Sequence, residues 1–520
     1  MRTKVYIIIV FLLILSINIT GCLNQINDKN ENNNIKTINV GLTDKIFGFY
    51  PYINNYDIST MEINFNIYDG LVDFDENFRI IPRLAKSWNN PDQNTWRFYL
   101  RDEVKFHNND ILTAEDVKYS IEFIKKNSSN VLKDLISSVA DVIVIDNNTI
   151  DIKTDGPNPI LLNKLVDIPI ISKQYLESLD NLWPIGTSAY KLVKYSEDKT
   201  IILEKFENYW GDKVEIEKAL FYIIENDELR KNKLISGEIN IAENILPIYL
   251  DEIINNKKTS VKTISSTTVV FLSFDFRETN STDFKEDINP ISDIRVRKAI
   301  YHAIDTKSII KNVKKGFAEP ASQFLSPLIF GYNPNIEILE YNQNESIRLL
   351  KEAGYEKGFN LTLDCAIDWY DDLIICEEIT RQLAPLINVT LNPLSVEQYY
   401  DKILNRKSAF YIIGWIPATG DGGEIFDYIL RSVDEQKDFG TYNLGYYSNQ
   451  SIDNISDKIM ISMDPEIRLD YMQRGFKIAM DDIACIPLFI NVLNYGLTED
   501  IEWTPRSDMD IRLENIKFKS

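Results

Sequence analysis

The sequence predicts a mixed α/β protein, and three observations carry that prediction. Strand-like and helix-like segments alternate along the chain, with no internal repeat. The run from Ile81 to Glu122 passes from strand through turn to capped helix. The run from Asp293 to Asp305 is a second capped helix. With 520 residues the length favours about three domains. A hydrophobic content of 44% can bury a large core.

The chain opens with Arg2 and Lys4 ahead of an unbroken apolar run from Val5 to Leu15. That run suits a signal-peptide core and is short for a membrane span. Ile19-Thr20-Gly21-Cys22 follows and resembles a lipoprotein cleavage box, which would leave Cys22 as the first mature residue with lipid on its sulfur. A short N-terminal anchor helix with an incidental cysteine is the alternative. Residues 23–36 are Asn-rich and polar, cannot bury a core, and read as a flexible tether.

Beyond the tether the elements follow from spacing. Trp96, Phe98 and Leu100 alternate with Arg97, Tyr99 and Arg101, and Val104 and Phe106 resume the alternation of a half-buried strand. His107-Asn108-Asn109-Asp110 supplies turn chemistry. Thr113 and Asp116 have the spacing of a capping box, with Asp for Glu, before a helix carrying Val117, Ile121 and Ile124. Phe271 to Phe276 alternates again. Asp293 is an N-cap, followed by the apolar stripe Val296, Ile300, Ala303 and Ile304. Leu361, Leu363, Cys365 and Ile367 alternate in a strand, and Cys376 lies on the next helix. Tyr411 to Ile413 is a short apolar strand ending in Gly414-Trp415 and a turn rich in Pro and Gly.

Composition excludes several classes. The net charge is -22, and removing Arg2 and Lys4 with the leader leaves about -24. Such a surface repels nucleic-acid phosphates and anionic lipid headgroups. If Cys22 is lipidated, Cys365, Cys376 and Cys485 remain. An odd number excludes a fully paired set, and small buried apolar residues are the expectation for them. Two histidines, His107 and His302, are too few for a zinc site, and no H-E-x-x-H or G-x-S-x-G is present. Gly420-Asp421-Gly422-Gly423 lacks the strand–helix context of a phosphate loop. No catalytic constellation, metal site or cofactor motif is found.

The block from Ile81 to Glu122 closely resembles the signature of the family 5 solute-binding proteins, the extracytoplasmic receptors of peptide and nickel ABC importers. There the block reads roughly P-x-L-A-x-S-W, then T-W-x-F-x-L-R-x-x-V-x-F-H-D-G, then T-A-x-D-V-x-x-S. Here His107-Asn108-Asn109 replaces His-Asp-Gly. Pro184 to Val193 is similar to the family's G-T-G-P-Y-x-L, with Ser188-Ala189 for Gly-Pro. Asn208-Tyr209-Trp210-Gly211 is similar to N-x-x-Y-W-G. Asp293 to Asp305 matches D-x-R-V-R-x-A-I-x-x-A-I-D. Asn344 to Phe359 and Gly445 to Leu488 extend the resemblance over nearly the whole mature chain.

The resemblance implies a two-lobed periplasmic-binding-protein-like (type II) fold with a hinge and an extra subdomain in the first lobe. Mapped here, 1–22 is the leader, 23–36 the tether, and 37–55, 181–273 and 485–520 the core of lobe I. The subdomain is 56–180 and lobe II is 274–484. It further implies a monomeric, non-enzymatic receptor, tethered through lipid on Cys22 to the extracytoplasmic face of the cell membrane. Such a receptor closes on a small solute and presents it to an ABC permease and its ATPase. Trp88, Trp96 and Trp210 are expected to be packing residues, His107 a structural hydrogen-bonding group, and Arg295 and Arg297 members of ion pairs within a lobe.

For the ligand the family's Gly-Trp turn is informative. Peptide receptors place an Asp three residues after the Trp, where it pairs with the peptide's α-ammonium in a closed, dry cleft. Here that position is Ala418. Either Asp421 takes the ammonium or the ligand carries none there, as for the metal chelates of the nickel receptors. Asp421 is also readable as a turn-capping residue. The expected ligand-contact residues are Tyr411, Trp415, Thr419 and Asp421, with short peptides preferred over nickel chelates. An exported hydrolase or a signalling receptor is the remote alternative.

Overall fold

Alternation decides the inward face at Thr95–Leu100: Trp96, Phe98 and Leu100 are buried while Arg97 and Tyr99 are half-buried. This strand lies between Ala85–Asp92 and Thr149–Thr154, and Val139–Asp146 completes a four-stranded antiparallel sheet. Arg97 and Asp151 face each other in register and form a bidentate pair at 2.7 and 2.8 Å. The helix Ala114–Asn127 buries Val117, Ile121 and Ile124. Only half of the expected capping box forms. Asp116 Oδ2 accepts from both the Thr113 N–H (2.8 Å) and its hydroxyl (2.9 Å), so the threonine oxygen donates instead of capping. Asp116 Oδ1 accepts from the Lys173 N–H, tying the helix to a distant turn.

The computed structural model describes residues 35–519, apart from 47, 50–51, 53–57, 128–129, 175–182, 196–199, 280, 282, 285–287 and 368–371. The leader and Cys22 lie outside the described residues. Among the described residues no helix is long and apolar enough to cross a membrane.

Among the described residues an eleven-stranded sheet runs through the chain. One part holds Thr37–Leu42, parallel to both Lys218–Ile223 and Ile241–Ala242. The other holds Asn360–Ala366 and Asn388–Leu394 as a parallel pair, beside Phe410–Trp415. Two long antiparallel strands, Thr259–Phe274 and Ile486–Thr498, belong to both parts and join them. Their register breaks between Ser265 and Val269. Three residues there leave the ladder, and that is where bending costs least.

Hydrophobic clusters divide about that point, giving two lobes. Ile38, Val40, Phe98, Ile121, Leu203 and Phe221 lie in the first core. Leu272, Phe274, Ile300, Leu363 and Phe410 lie in a second, and Phe324, Phe426, Met472 and Phe476 in a third beside it. The fold class is α/β and two-lobed, as the sequence implied.

The resemblance blocks prove to be internal ties. His107 Nδ1 accepts from the Gly186 N–H (3.2 Å), and Nε2 donates to Ser188 O (3.0 Å), so the first block grips the second. Burial pushes the His107 pKa down to about 4, so the ring stays neutral. Trp96 is in the core, and Trp210 Nε1 donates to Asp69 with the Arg101 guanidinium over its ring. Asp293 caps the helix Ile294–Ala303 by accepting from Arg295 N–H, and Arg295 pairs back onto it. Arg297 corrects the ion-pair expectation. Among the described residues it forms no salt bridge, and it donates to the carbonyls of Ile291, Ser292, Asp482 and Ile483. Burial lowers its pKa to about 10. Cys365, Cys376 and Cys485 are free and buried, and burial pushes the Cys376 and Cys485 thiols up.

Candidate functional site

The loop after Phe410–Trp415 stands where the lobes meet. The strand pairs antiparallel with Thr259–Phe274, and its last residue, Trp415, sits opposite Val269, at the edge of the register break. The hinge and the indole are therefore neighbours. The Trp415 ring packs edge-on against Tyr442 (5.3 Å between centroids) and lies 6.4 Å from Tyr428. Its Nε1 is buried and has no acceptor among the described residues.

The chain turns at Pro417, whose carbonyl accepts from the Gly420 N–H at 3.0 Å. Gly420 has φ +63°, and a Cβ there would lie 3.1 Å from Phe78 and 3.2 Å from Phe74, both in the first lobe. A side chain would hold the lobes apart, so the glycine permits close approach. Phe78 packs against the cores of both lobes. Asn163, on the first-lobe helix Leu161–Val166, donates from Nδ2 to Thr419 O at 2.8 Å.

Asp421 is fully engaged. Arg468 holds both its oxygens, Nη1 to Oδ2 at 2.5 Å and Nη2 to Oδ1 at 2.7 Å, and Oδ1 also accepts from the Gly423 N–H. Both side chains are 4% exposed. Arg468 Nε donates to Ile459 O, so its charge is matched inside the second lobe. Gly422 N–H donates to Phe330 O, fixing the loop to the segment before it. Tyr411 points into the second lobe beside Tyr399 and Leu444, where burial raises its pKa to about 12. Of the four expected contact residues, Trp415 and Thr419 belong to the lobe-facing loop. Asp421 braces that loop, and Tyr411 lies behind it.

A cavity of about 730 Å³ opens beside this loop, within the range of small-ligand pockets. Phe78, Arg79 and Asn163 of the first lobe form one wall. Phe330, Tyr332, Asp421, Met463 and Arg468 of the second form the other. The walls are polar and apolar in nearly equal parts, with Arg79 exposed at the rim.

Sequence reasoning missed Phe78, Asn163, Lys164, Glu424 and Asp427. Glu424 Oε1 accepts from the Thr419 N–H at 2.8 Å, stiffening the turn. Burial first, then the Asp421 charge, push its pKa up to about 7, against the Thr419 and Ala418 hydrogen bonds that lower it. Burial lowers the Lys164 pKa, opposed by Glu424, Asp427 and Asp134, and burial raises that of Asp427. A carboxylate directly after a Gly-rich turn was a visible cue for Glu424. Nothing local marked Asn163 or Lys164, which sit in a short apolar helix. Among the described residues no group of three His, Cys, Asp or Glu side chains could hold a metal ion.

Comparison with known proteins places this geometry in context. The family described as "Bacterial extracellular solute-binding proteins, family 5 Middle" matches residues 79–437. The dipeptide-binding protein of Escherichia coli (strain K12) is 29% identical over 354 residues, spanning 61% of this chain and 63% of that protein. The nickel-binding protein NikA of Staphylococcus aureus (strain NCTC 8325 / PS 47) is 25% identical over 454 residues, spanning 86% of this chain and 87% of that one. The structure of HbpA2 from Haemophilus parasuis superposes with a TM-score of 0.82 at 20% identity, covering 93% of this chain and 100% of that one.

Proposed function

The chain belongs to the bacterial extracellular solute-binding proteins of family 5, which serve ABC importers, and we propose that it captures short peptides between its lobes and delivers them to a permease. One observation carries this reading. Two separately packed lobes are joined by two long strands whose ladder is interrupted at the joint, with a ligand-sized cavity facing both lobes. Such a body has an open and a closed state, and a solute that touches both lobes favours the closed one. In an extended peptide the main chain supplies donors and acceptors in every sequence, so affinity needs little side-chain selectivity. The E. coli relative named for dipeptides supports this solute class.

Nickel-chelate capture is the second reading. It is favoured by Ala418, which stands where peptide receptors carry the ammonium-binding acid, and by the staphylococcal relative named for nickel. Asp421 acts in either case through the loop, since Arg468 and Gly423 occupy its oxygens. Attachment is through lipid on Cys22; loss of radiolabelled fatty acid in Cys22→Ala tests it.

Native mass spectrometry of the mature chain, purified without refolding, decides between the two. The peptide reading expects a heterogeneous set of short-peptide adducts. A single metal-bearing adduct overturns it.

A further inference from the structure

The first lobe holds a second group of acids that the cleft loop does not use. The helix Ile58–Ile67 is pinned to the C-terminal segment by Asn66, whose amide donates to Ile511 O (3.0 Å) and accepts from Leu513 N–H (2.8 Å). One turn earlier on the same face lies Glu62, 1% exposed, with a carboxylate oxygen that has no hydrogen-bond partner among the described residues. Glu243 follows the strand Ile241–Ala242 and accepts from the Thr43 N–H (3.0 Å) and hydroxyl (3.3 Å). Thr43 itself follows Thr37–Leu42, the parallel neighbour of that strand. Both residues thus stand at the carboxyl ends of parallel strands, where open α/β sheets take their ligands.

The charges around these acids do not balance. Glu62 is acted on by Glu243, Asp510 and Asp508, all acidic. Glu243 feels Arg230 and Asp44. Arg230, however, spends its donors on the carbonyls of Ile224, Glu243 and Asn244 and on Asp227. Asp510 is paired with Arg512, which also serves Asp73, while Arg506 is held by Asp508. Burial and mutual repulsion raise the pKa of Glu62 well above the carboxylate range, and burial raises that of Glu243. The Ile511 backbone eases the Glu62 charge, but a buried carboxylate with one idle oxygen and acidic side chains around it is still costly. Such a cost is characteristic of sites whose cation arrives with a ligand.

We propose that Glu62 and Glu243 form a subsite for an ammonium or guanidinium group of the solute, with Glu62 supplying the free oxygen and Glu243 the second negative charge. The proposal rests on the solute-capture reading and specifies the chemistry of what is captured. Entry of the cation favours the ionised form of Glu62, which burial disfavours.

The test uses thermal stabilisation of the whole mature chain at pH 8 by three millimolar probes. Trialanine carries an α-ammonium, acetyl-capped trialanine carries no cation, and an acetyl-capped Ala-Lys-Ala peptide carries only a side-chain ammonium. At least one cationic probe is expected to bind tenfold or more tighter than the capped neutral one, and which one does so identifies the source of the charge. Glu62→Gln should erase that difference. It changes the net charge of a chain at -22 by at most one, so general attraction of cations persists. Glu243→Gln repeats the test if the first variant folds poorly. Equal binding of all three probes overturns the subsite and leaves peptide capture standing. A preference that survives both variants overturns it as well, and binding of none removes the subsite together with the peptide reading.

Discussion

Replacing Asp421 with Asn separates a bracing role from a ligand role. The native pair is buried at 4% exposure on each side, with two hydrogen bonds between Asp421 and Arg468 and a third from the Gly423 N–H. Asn keeps an oxygen for Gly423 and one bond to the guanidinium, but leaves the Arg468 charge uncompensated. Breaking a buried pair by removing one partner costs about 3–5 kcal/mol, and the retained bonds place this variant near 3. Urea unfolding followed by tryptophan fluorescence gives the number. Arg468→Met should cost about as much, by stranding the carboxylate. The double variant should recover about 2 kcal/mol relative to the sum of the singles, because neither charge is then stranded. Peptide affinity of the folded Asn variant should change by less than threefold. A stability within about 0.5 kcal/mol of native, with affinity lowered tenfold or more, would refute the bracing role and return Asp421 to the ligand.

Three further outcomes follow from the same geometry. The Glu424 pKa is about 7 in the folded chain against an ordinary 4.5, so the protonated form favours folding. Its contribution is present below about 4.5 and is lost as pH rises towards 7, by roughly 3 kcal/mol. Glu424→Gln should therefore gain stability relative to the native chain across that window, and parallel pH profiles of melting temperature would contradict this. Gly186→Ala puts a Cβ 2.0 Å from the Ile67 carbonyl oxygen, backbone that cannot yield, and should cost about 3 kcal/mol in urea titrations; a loss below 1 would show the contact to be looser. Asn163→Ala removes the Thr419 carbonyl's cross-lobe donor, worth about 1 kcal/mol of the closed state, and should weaken peptide affinity about fivefold with unchanged unfolding stability.

What the sequence made legible was local. The strand Thr95–Leu100, the helix after Thr113 and the cap at Asp293 depend on neighbours within a few residues, and period-two and period-3.6 spacing exposes them. The family resemblance supplied the lobes, because its blocks are tie points such as His107 with Gly186. Where long-range partners decide, the sequence carries no local sign of them. Asp421 meets an arginine 47 residues away, and Asn163 meets a carbonyl 256 residues away. Arg297 lies four residues after Asp293 and still spends its donors on carbonyls, since the turn at Ile291-Ser292 and the end of the helix Pro465–Asp481 converge on it. Glu62 looked like an ordinary polar helix residue, and only the folded chain sets it against Glu243 and Asp510.

Solute-driven closure about Thr259–Phe274 and Ile486–Thr498 is the central claim. Small-angle X-ray scattering of the mature chain, stripped of bound material and then saturated with the peptides that co-purify, tests it most directly. The radius of gyration should fall on saturation and recover when peptide is removed. A radius unchanged at saturation would contradict closure and reduce the interrupted ladder at Ser265–Val269 to a static bend.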